Sequence, residues 1–139
     1  SHLKEIIDRY SIKILECGYD AHNAGSFLAD LDFLNCDLTE VKQSAKSLND
    51  ATVDFALSVK ATQVLYDRKN SLLKWSIANA TTISNSFGEI KIDKQAQKNR
   101  IDPVDAILDA WKIMLLNKKE AINNDETVGE WLELMDKRR

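Results

Sequence analysis

One proline, four glycines, two cysteines and two histidines in 139 residues are all that the chain contains of these types, and each shortage closes off a class of protein. So little Pro and Gly excludes collagen-like and low-complexity chains. Cys17 and Cys36 lie in apolar segments without CxxC spacing, which argues against a disulfide framework or a zinc knuckle and for two buried thiols. His2 and His22 are too few for an imidazole-based metal site, and there is no Walker lysine loop, no GxSxG and no HExxH. No apolar run approaches the ~18 residues of a membrane span, and no basic-then-apolar leader opens the chain. The expectation is a soluble, cytoplasmic protein with no membrane partner. Nor is there an excess of positive charge: 19 Lys and Arg stand against 22 Asp and Glu, a net of −3, so any polyanion-binding surface must be local. The chain opens Ser1-His2 and its methionines are Met114 and Met135, which reads as a tag scar or an excised piece of a longer protein.

What is present is ample material for one core. The 44% hydrophobic and 29% charged content fits a single folded domain and excludes whole-chain disorder. Leu3, Ile6, Ile7 and Tyr10 recur at helical spacing. Ile12 to Tyr19 is apolar on both alternations, as in a strand covered on two faces, and it ends in Asp20. Ala24, Phe27, Leu28, Leu31 and Leu34 predict a helix, and residues 38–42 a second strand, so the segment reads as a strand-helix-strand unit with parallel neighbours. Ser47 to Asp50 resembles a capping box opening a long helix that holds its period to Leu65. Leu73, Trp75 and Ile77 alternate with Lys74, Ser76 and Ala78, and Glu89 to Ile92 alternates likewise, which predicts a β-hairpin. Trp75 is expected in the core. Asp102-Pro103 opens a helix with apolar face Val104, Ile107, Leu108, Trp111 and Leu115, broken at Asn123-Asn124-Asp125, and a last helix spans Val128 to Lys137. The pattern is α/β with a short sheet.

The residues left for chemistry are carboxylates. Asp20 follows an apolar strand directly, and ligands of α/β sheets bind at the carboxyl ends of strands; a turn residue leading into the next helix is the bland alternative and, from position alone, the default. Asp102 before Pro103 is an ordinary helix start, and with Asp105 and Asp109 it forms an acidic stripe whose default is a solvated face. If that first turn lay beside the end of the Asp20 strand, the carboxylates would converge on two divalent cations able to activate water in phosphodiester hydrolysis. Lys91, Lys94, Lys98 and Arg100 precede the acidic helix, where a DNA backbone would pass; Lys60, Arg68, Lys69 and Lys74 form a second basic group. Solvated loops are the commoner fate of such runs.

The order of certain segments resembles a specific family. These are Glu16-Cys17-Gly18-Tyr19-Asp20-Ala21-His22-Asn23-Ala24, then Gln43-Ser44 and a long helix, then Asn70 to Ala80 with its N-x-x-L-x-W-x-x-x-NA pattern, then Asp93-Lys94 and Arg100-Ile101-Asp102-Pro103-Val104-Asp105-Ala106. Together, over residues 5–117, they resemble the C-terminal nuclease region of the large terminase subunit of tailed bacteriophages, a phage or prophage DNA-packaging protein. The resemblance implies a ribonuclease H-like fold over residues 1–121, followed by a helical tail over 122–139. It implies an endonuclease that cuts concatemeric double-stranded viral DNA with two Mg²⁺ or Mn²⁺ ions, ATP being used only by an N-terminal motor absent from this chain. Asp20 then matches the metal ligand at the end of the fourth strand and Asp102 the ligand at the start of the C-terminal helix, with Asp105 as rival or additional ligand. Lys91, Lys94, Lys98 and Arg100 are expected to contact DNA, and the portal protein and small terminase subunit are implied partners.

The family's first strand carries a further aspartate, and nothing before Leu3 supplies it. The expectation is therefore a nuclease fragment lacking its first sheet strands and one ligand, weakly active or inactive alone, and prone to self-association through an exposed sheet edge. Two other classes stay open: a non-catalytic docking module for portal or small subunit, and another ribonuclease H-like enzyme such as a resolvase or transposase, against which residues 70–80 argue.

Overall fold

A computed structural model describes residues 2–22, 24–94 and 101–123. Helix α1 (His2–Tyr10) leads to strand β1 (Glu16–Tyr19); α2 (Gly25–Ala29) and a 3-10 turn (Asp32–Leu34) lead to β2 (Asp37–Glu40); α3 (Ala45–Lys60), α4 (Ser71–Asn79), the strands β3 (Thr82–Ser84) and β4 (Ile90–Ile92), and α5 (Asp102–Asn123) follow. β1 and β2 are parallel neighbours with Cys17 opposite Leu38 and Tyr19 opposite Glu40, as the strand-helix-strand pattern requires. β3 and β4 form a separate antiparallel hairpin, with Ile83 opposite Lys91. Among the described residues no helix is long and apolar enough to cross a membrane. Cys17 and Cys36 are free and half-buried.

Helix α5 is the element on which the rest packs: it lies against β1, α3 and α4. Its buried residues are Val104, Leu108, Asp109 and Ile113, the i, i+4 ladder of an amphipathic helix with one polar member. Val104 and Leu108 join Phe55, Ile92 and Ile101 in one core cluster, while Ile113 joins Val41 and Leu48 in a second. Half-buried Trp111 packs edge-on to Phe55, with ring centroids 5.1 Å apart, and donates its indole N–H to Asp54 Oδ2 at 2.8 Å, so its polar tip is satisfied. On the other side Glu16 accepts hydrogen bonds from Thr39 Oγ1 and Asn117 Nδ2, tying β1 to β2 and to α5; these two donors hold its carboxyl below the ordinary range against the opposing effect of burial.

The structure moves several expected boundaries, each for an identifiable reason. β1 is shorter than residues 12–19, and Ile12 and Leu15 before it are exposed. The predicted helix at 24–34 divides into α2 and a 3-10 turn ended by Asn35 at φ 49. The cap of α3 lies three residues before the expected one, because Ser44 Oγ, not Ser47, accepts a backbone N–H, that of Ser47. It stops at Lys60, not Leu65: Thr62 turns left-handed at φ 59, and the N–H groups of Thr62 and Gln63 return to the carbonyls of Val59 and Ser58. That is a Schellman ending built on Thr in place of the usual Gly, so composition gives no stop signal.

The largest difference is at residues 71–79, expected as the first strand of the hairpin and found as helix α4. Asn70 Oδ1 caps it by accepting from Leu73 N–H at 3.0 Å. Half-buried Leu73 and Ala80 and buried Ser76 then share one helical face, while Trp75 is 41% exposed and outside the core. The hairpin itself exists one segment later, its turn held by Asn85 Oδ1, which accepts from the N–H groups of Phe87 and Glu89, and by Gly88 at φ +77. Ser76 also starts α5: fully buried, its hydroxyl accepts from Val104 N–H at 3.1 Å, one of the first-turn donors a helix leaves unpaired. The predicted last helix, Val128 to Lys137, lies outside the described residues.

Two substitutions test this frame. A Cβ on Gly18 would stand 2.8 Å from Ile113 Cγ1, 3.1 Å from Val41 Cγ2 and 3.2 Å from the Asp109 carbonyl, so Gly18→Ala should destabilise the fold by about 1–3 kcal/mol in urea unfolding. Ser76→Ala leaves the buried Val104 N–H without its acceptor and should cost about 1–3 kcal/mol in the same measurement.

Candidate active site

Each functional side chain is delivered by the edge of an element. The carbonyl of Tyr19 accepts from Val41 N–H at 2.8 Å, carrying the parallel ladder to the carboxyl end of β1, and the next residue is Asp20. Its Oδ1 accepts from His22 N–H at 3.0 Å, an Asx turn that is the bland role foreseen for it. Its other oxygen faces a cation: Lys94 Nζ lies 3.6 Å from Asp20 Oδ2. The same ammonium lies 2.6 Å from Asp105 Oδ2 on the first turn of α5.

One turn further along α5, Asp109 is 7% exposed and accepts from Gln43 Nε2 at 2.9 Å. Gln43 is the hub of the cluster. Its Nε2 also donates to the Val41 carbonyl, its Oε1 accepts from Lys94 Nζ at 3.0 Å, and its backbone carbonyl accepts from Lys91 Nζ at 2.9 Å. Lys91 and Lys94 reach it because β4 is docked on α3, where Asn49 Oδ1 accepts from Ile90 N–H.

Asp20 and Asp105 thus flank one ammonium, and Asp109 is linked to it through Gln43. Burial pushes the Asp109 carboxyl above the ordinary range; the Gln43 hydrogen bond and Lys94 oppose this, and Asp105 and Asp20 add to it. Burial works against the charge on Lys94, but the hydrogen bond to Asp105 and the fields of Asp105, Asp20 and Asp109 outweigh it, and the ammonium holds its proton above its usual value. As placed, no group of three or more His, Cys, Asp or Glu side chains could hold a metal ion among the described residues. The donor chemistry nevertheless suits a hard divalent cation, being carboxylate oxygen throughout, and the cluster already binds one positive charge.

Asp102 opens α5, exposed, and forms no ion pair with another described residue. The helical bonding starts one residue earlier than expected, since the Ile101 carbonyl accepts from Asp105 N–H. Lys98 and Arg100 lie outside the described residues. In the sequence Asp109 stands only in an acidic stripe and Gln43 only in a motif. Asp109's spacing of four from Asp105, directly after apolar Leu108, is the signal that could have raised it; nothing local marks Gln43.

A family model described as "Terminase large subunit, endonuclease domain" matches residues 2–118. The chain belongs to this family. The crystal structure of the HK97 bacteriophage large terminase superposes with a TM-score of 0.66 at 23% identity, over 81% of this chain. At that identity the likeness establishes the shared fold, a mixed α/β arrangement. The chain spans 23% of the length of that terminase chain. No curated protein matches the sequence.

Because Asp109 binds its proton more tightly in the folded chain than in the unfolded one, stability falls as pH rises from the ordinary carboxylate range through its raised pKa. Asp109→Asn, which can still accept from Gln43, should therefore raise the melting temperature near pH 7. The gain should shrink towards zero as the pH is lowered to about 4, where the unfolded carboxyl also protonates. Thermal melts across that range check it.

Proposed function

We propose that the chain is the nucleolytic part of a DNA-packaging protein, a metal-dependent endonuclease acting on concatemeric double-stranded viral DNA. The observation that carries this reading is the meeting of Asp20, at the carboxyl end of a parallel strand, with Asp105 from α5 on a single cationic group, to which Gln43 also links Asp109. Asp20, Asp105 and Asp102 would hold one or two Mg²⁺ or Mn²⁺ ions. Such ions, when bound, activate a water and stabilise the leaving oxygen of the phosphodiester.

The chain's own residues do the rest. Gln43 fixes the Asp109 carboxylate and links it to the end of β2, so the buried end of the acidic ladder has a set orientation. Asp102, exposed at the start of α5, stands where a substrate-borne group can reach it. Lys91 in β4 and Lys94, Lys98 and Arg100 in the sequence between β4 and this helix offset the repulsion between a carboxylate site and a polyanion. In the complete packaging protein the portal protein and small terminase subunit are the proposed partners.

The test is Mn²⁺-dependent cutting of supercoiled plasmid by the chain and by the longer protein that contains it. Cutting is expected of the longer protein and little or none of the chain alone, and Asp20→Asn, Asp105→Asn and Asp102→Ala should each slow the longer protein's cutting by about 100-fold or more. Should both forms stay silent across metal and salt concentrations, the catalytic reading fails and a docking module takes its place.

A further inference from the structure

Lys94 occupies the position in which a metal ion would be useful. It lies 2.6 Å from Asp105 Oδ2, 3.6 Å from Asp20 Oδ2 and 3.0 Å from Gln43 Oε1, so the ammonium is shared by elements from β1, the loop before α3, and α5. Two features separate this arrangement from a surface ion pair. The Asp105 side chain is only 18% exposed, which limits solvent screening. Gln43 ties Lys94 to Asp109, so the one cation balances a connected set of carboxylates.

Lys94 leaves β4 two residues after buried Ile92, and the preceding Asp93 N–H still bonds the Thr81 carbonyl at 2.8 Å. The backbone before it is therefore held, while its side chain is 42% exposed. A long flexible side chain on a fixed base can leave the cluster without unfolding the hairpin.

We propose that Lys94 is a built-in counter-ion that keeps the carboxylate site closed, and that a divalent cation binds only as this ammonium swings out of it. The inference rests on the metal-site reading above. It explains why no group of carboxylates among the described residues is placed to hold an ion although the donor set suits one: with the ammonium among them, the carboxylates are arranged around Nζ. Once displaced, Lys94 remains beside the site as a free cation, available to a phosphate of the bound strand, so metal entry and recruitment of the polyanion become one event.

The experiment is Mn²⁺ titration of the 139-residue chain, reading free ion by its paramagnetic resonance signal, with thermal melts in parallel and no DNA present. Lys94→Met keeps the length and removes the charge; it should bind Mn²⁺ about tenfold to a hundredfold more tightly than wild type. It should also melt lower without metal, because three carboxylates then repel one another, and be raised more by Mn²⁺. Lys94→Arg keeps the charge and should bind like wild type, and a cooperative melt of Lys94→Met shows that the substituted site still folds. Equal affinity in all three forms, or weaker binding by Lys94→Met, overturns the closed-site role while leaving the metal site standing. Binding by none of them overturns the metal-site reading and the proposal with it.

Discussion

The geometry of the site depends on one close approach, that of α5 to the end of β1 at Gly18. With only a hydrogen in place of a side chain there, the helix comes near enough that an added Cβ would lie 3.2 Å from the Asp109 carbonyl. A glycine at this position is needed for space, not for an unusual backbone angle. Two residues later the chain turns at Asp20, and one helical turn before Asp109 lies Asp105, so the contact that sets helix on strand also sets carboxylate beside carboxylate. Ser76 fixes the other end of the same helix by accepting the Val104 N–H. A helix held at its first turn and at its crossing point has little freedom to slide, which is what a site assembled from separate elements requires.

Bringing acids together has an electrostatic consequence that the fold must answer. Burial and like charges both raise the pKa of clustered acids, and like charges recruit a cation: Asp109 is pushed up chiefly by burial, with Asp105 and Asp20 adding to it, and Lys94 is drawn in. Gln43 adds a third, an amide able to donate to an acid and accept from an ammonium at once. Its position just beyond β2 follows from the parallel pairing, since Val41 N–H continues the ladder from Tyr19 and the Val41 carbonyl then accepts from Gln43. The sheet thus supplies the acid at the end of one strand and the amide that organises its neighbours just past the end of the other.

What the sequence disclosed follows from which forces are local. The parallel pair, Asp20 at its end and the register of α5 were all legible, because strand hydrophobicity and helical period are written in consecutive residues. Residues 70–80 were misread since Leu73, Trp75 and Ile77 do alternate; the period is overridden by the Asn70 cap and by burial of Ser76 against α5, a contact 28 positions away. The end of α3 was hidden because Thr62 takes a conformation usually given to Gly. The sequence places Lys94 in a basic run facing DNA and gives no sign that in the folded chain it also faces acids contributed by residues 20 and 105. Charge counting along a chain sees only neighbours in sequence, and Asp20, Gln43 and Asp105 all lie more than ten positions from Lys94.

The acidic face of α5 shows how one short helix segment can serve two environments. At 3.6 residues per turn, Asp102, Asp105 and Asp109 fall within an arc of about 60°, but their burial is graded: Asp102 exposed, the Asp105 side chain 18% exposed, Asp109 7%. The gradient arises because Asp102 is open to solvent, whereas Asp109 lies where Gly18 lets the helix close on β1. At the inner end the carboxylate is fixed by a neutral donor and resists ionisation; at the outer end the carboxylate keeps its hydration and its freedom. In the proposed nuclease reading, an anionic substrate is met where water and basic side chains offset the repulsion, and the exposed end of this face is the Asp102 end, the one that follows Lys98 and Arg100 in sequence. The question of Asp102 against Asp105 is therefore one of division of labour along a single face: Asp105 has the cation partner in the folded chain, and Asp102 has the access.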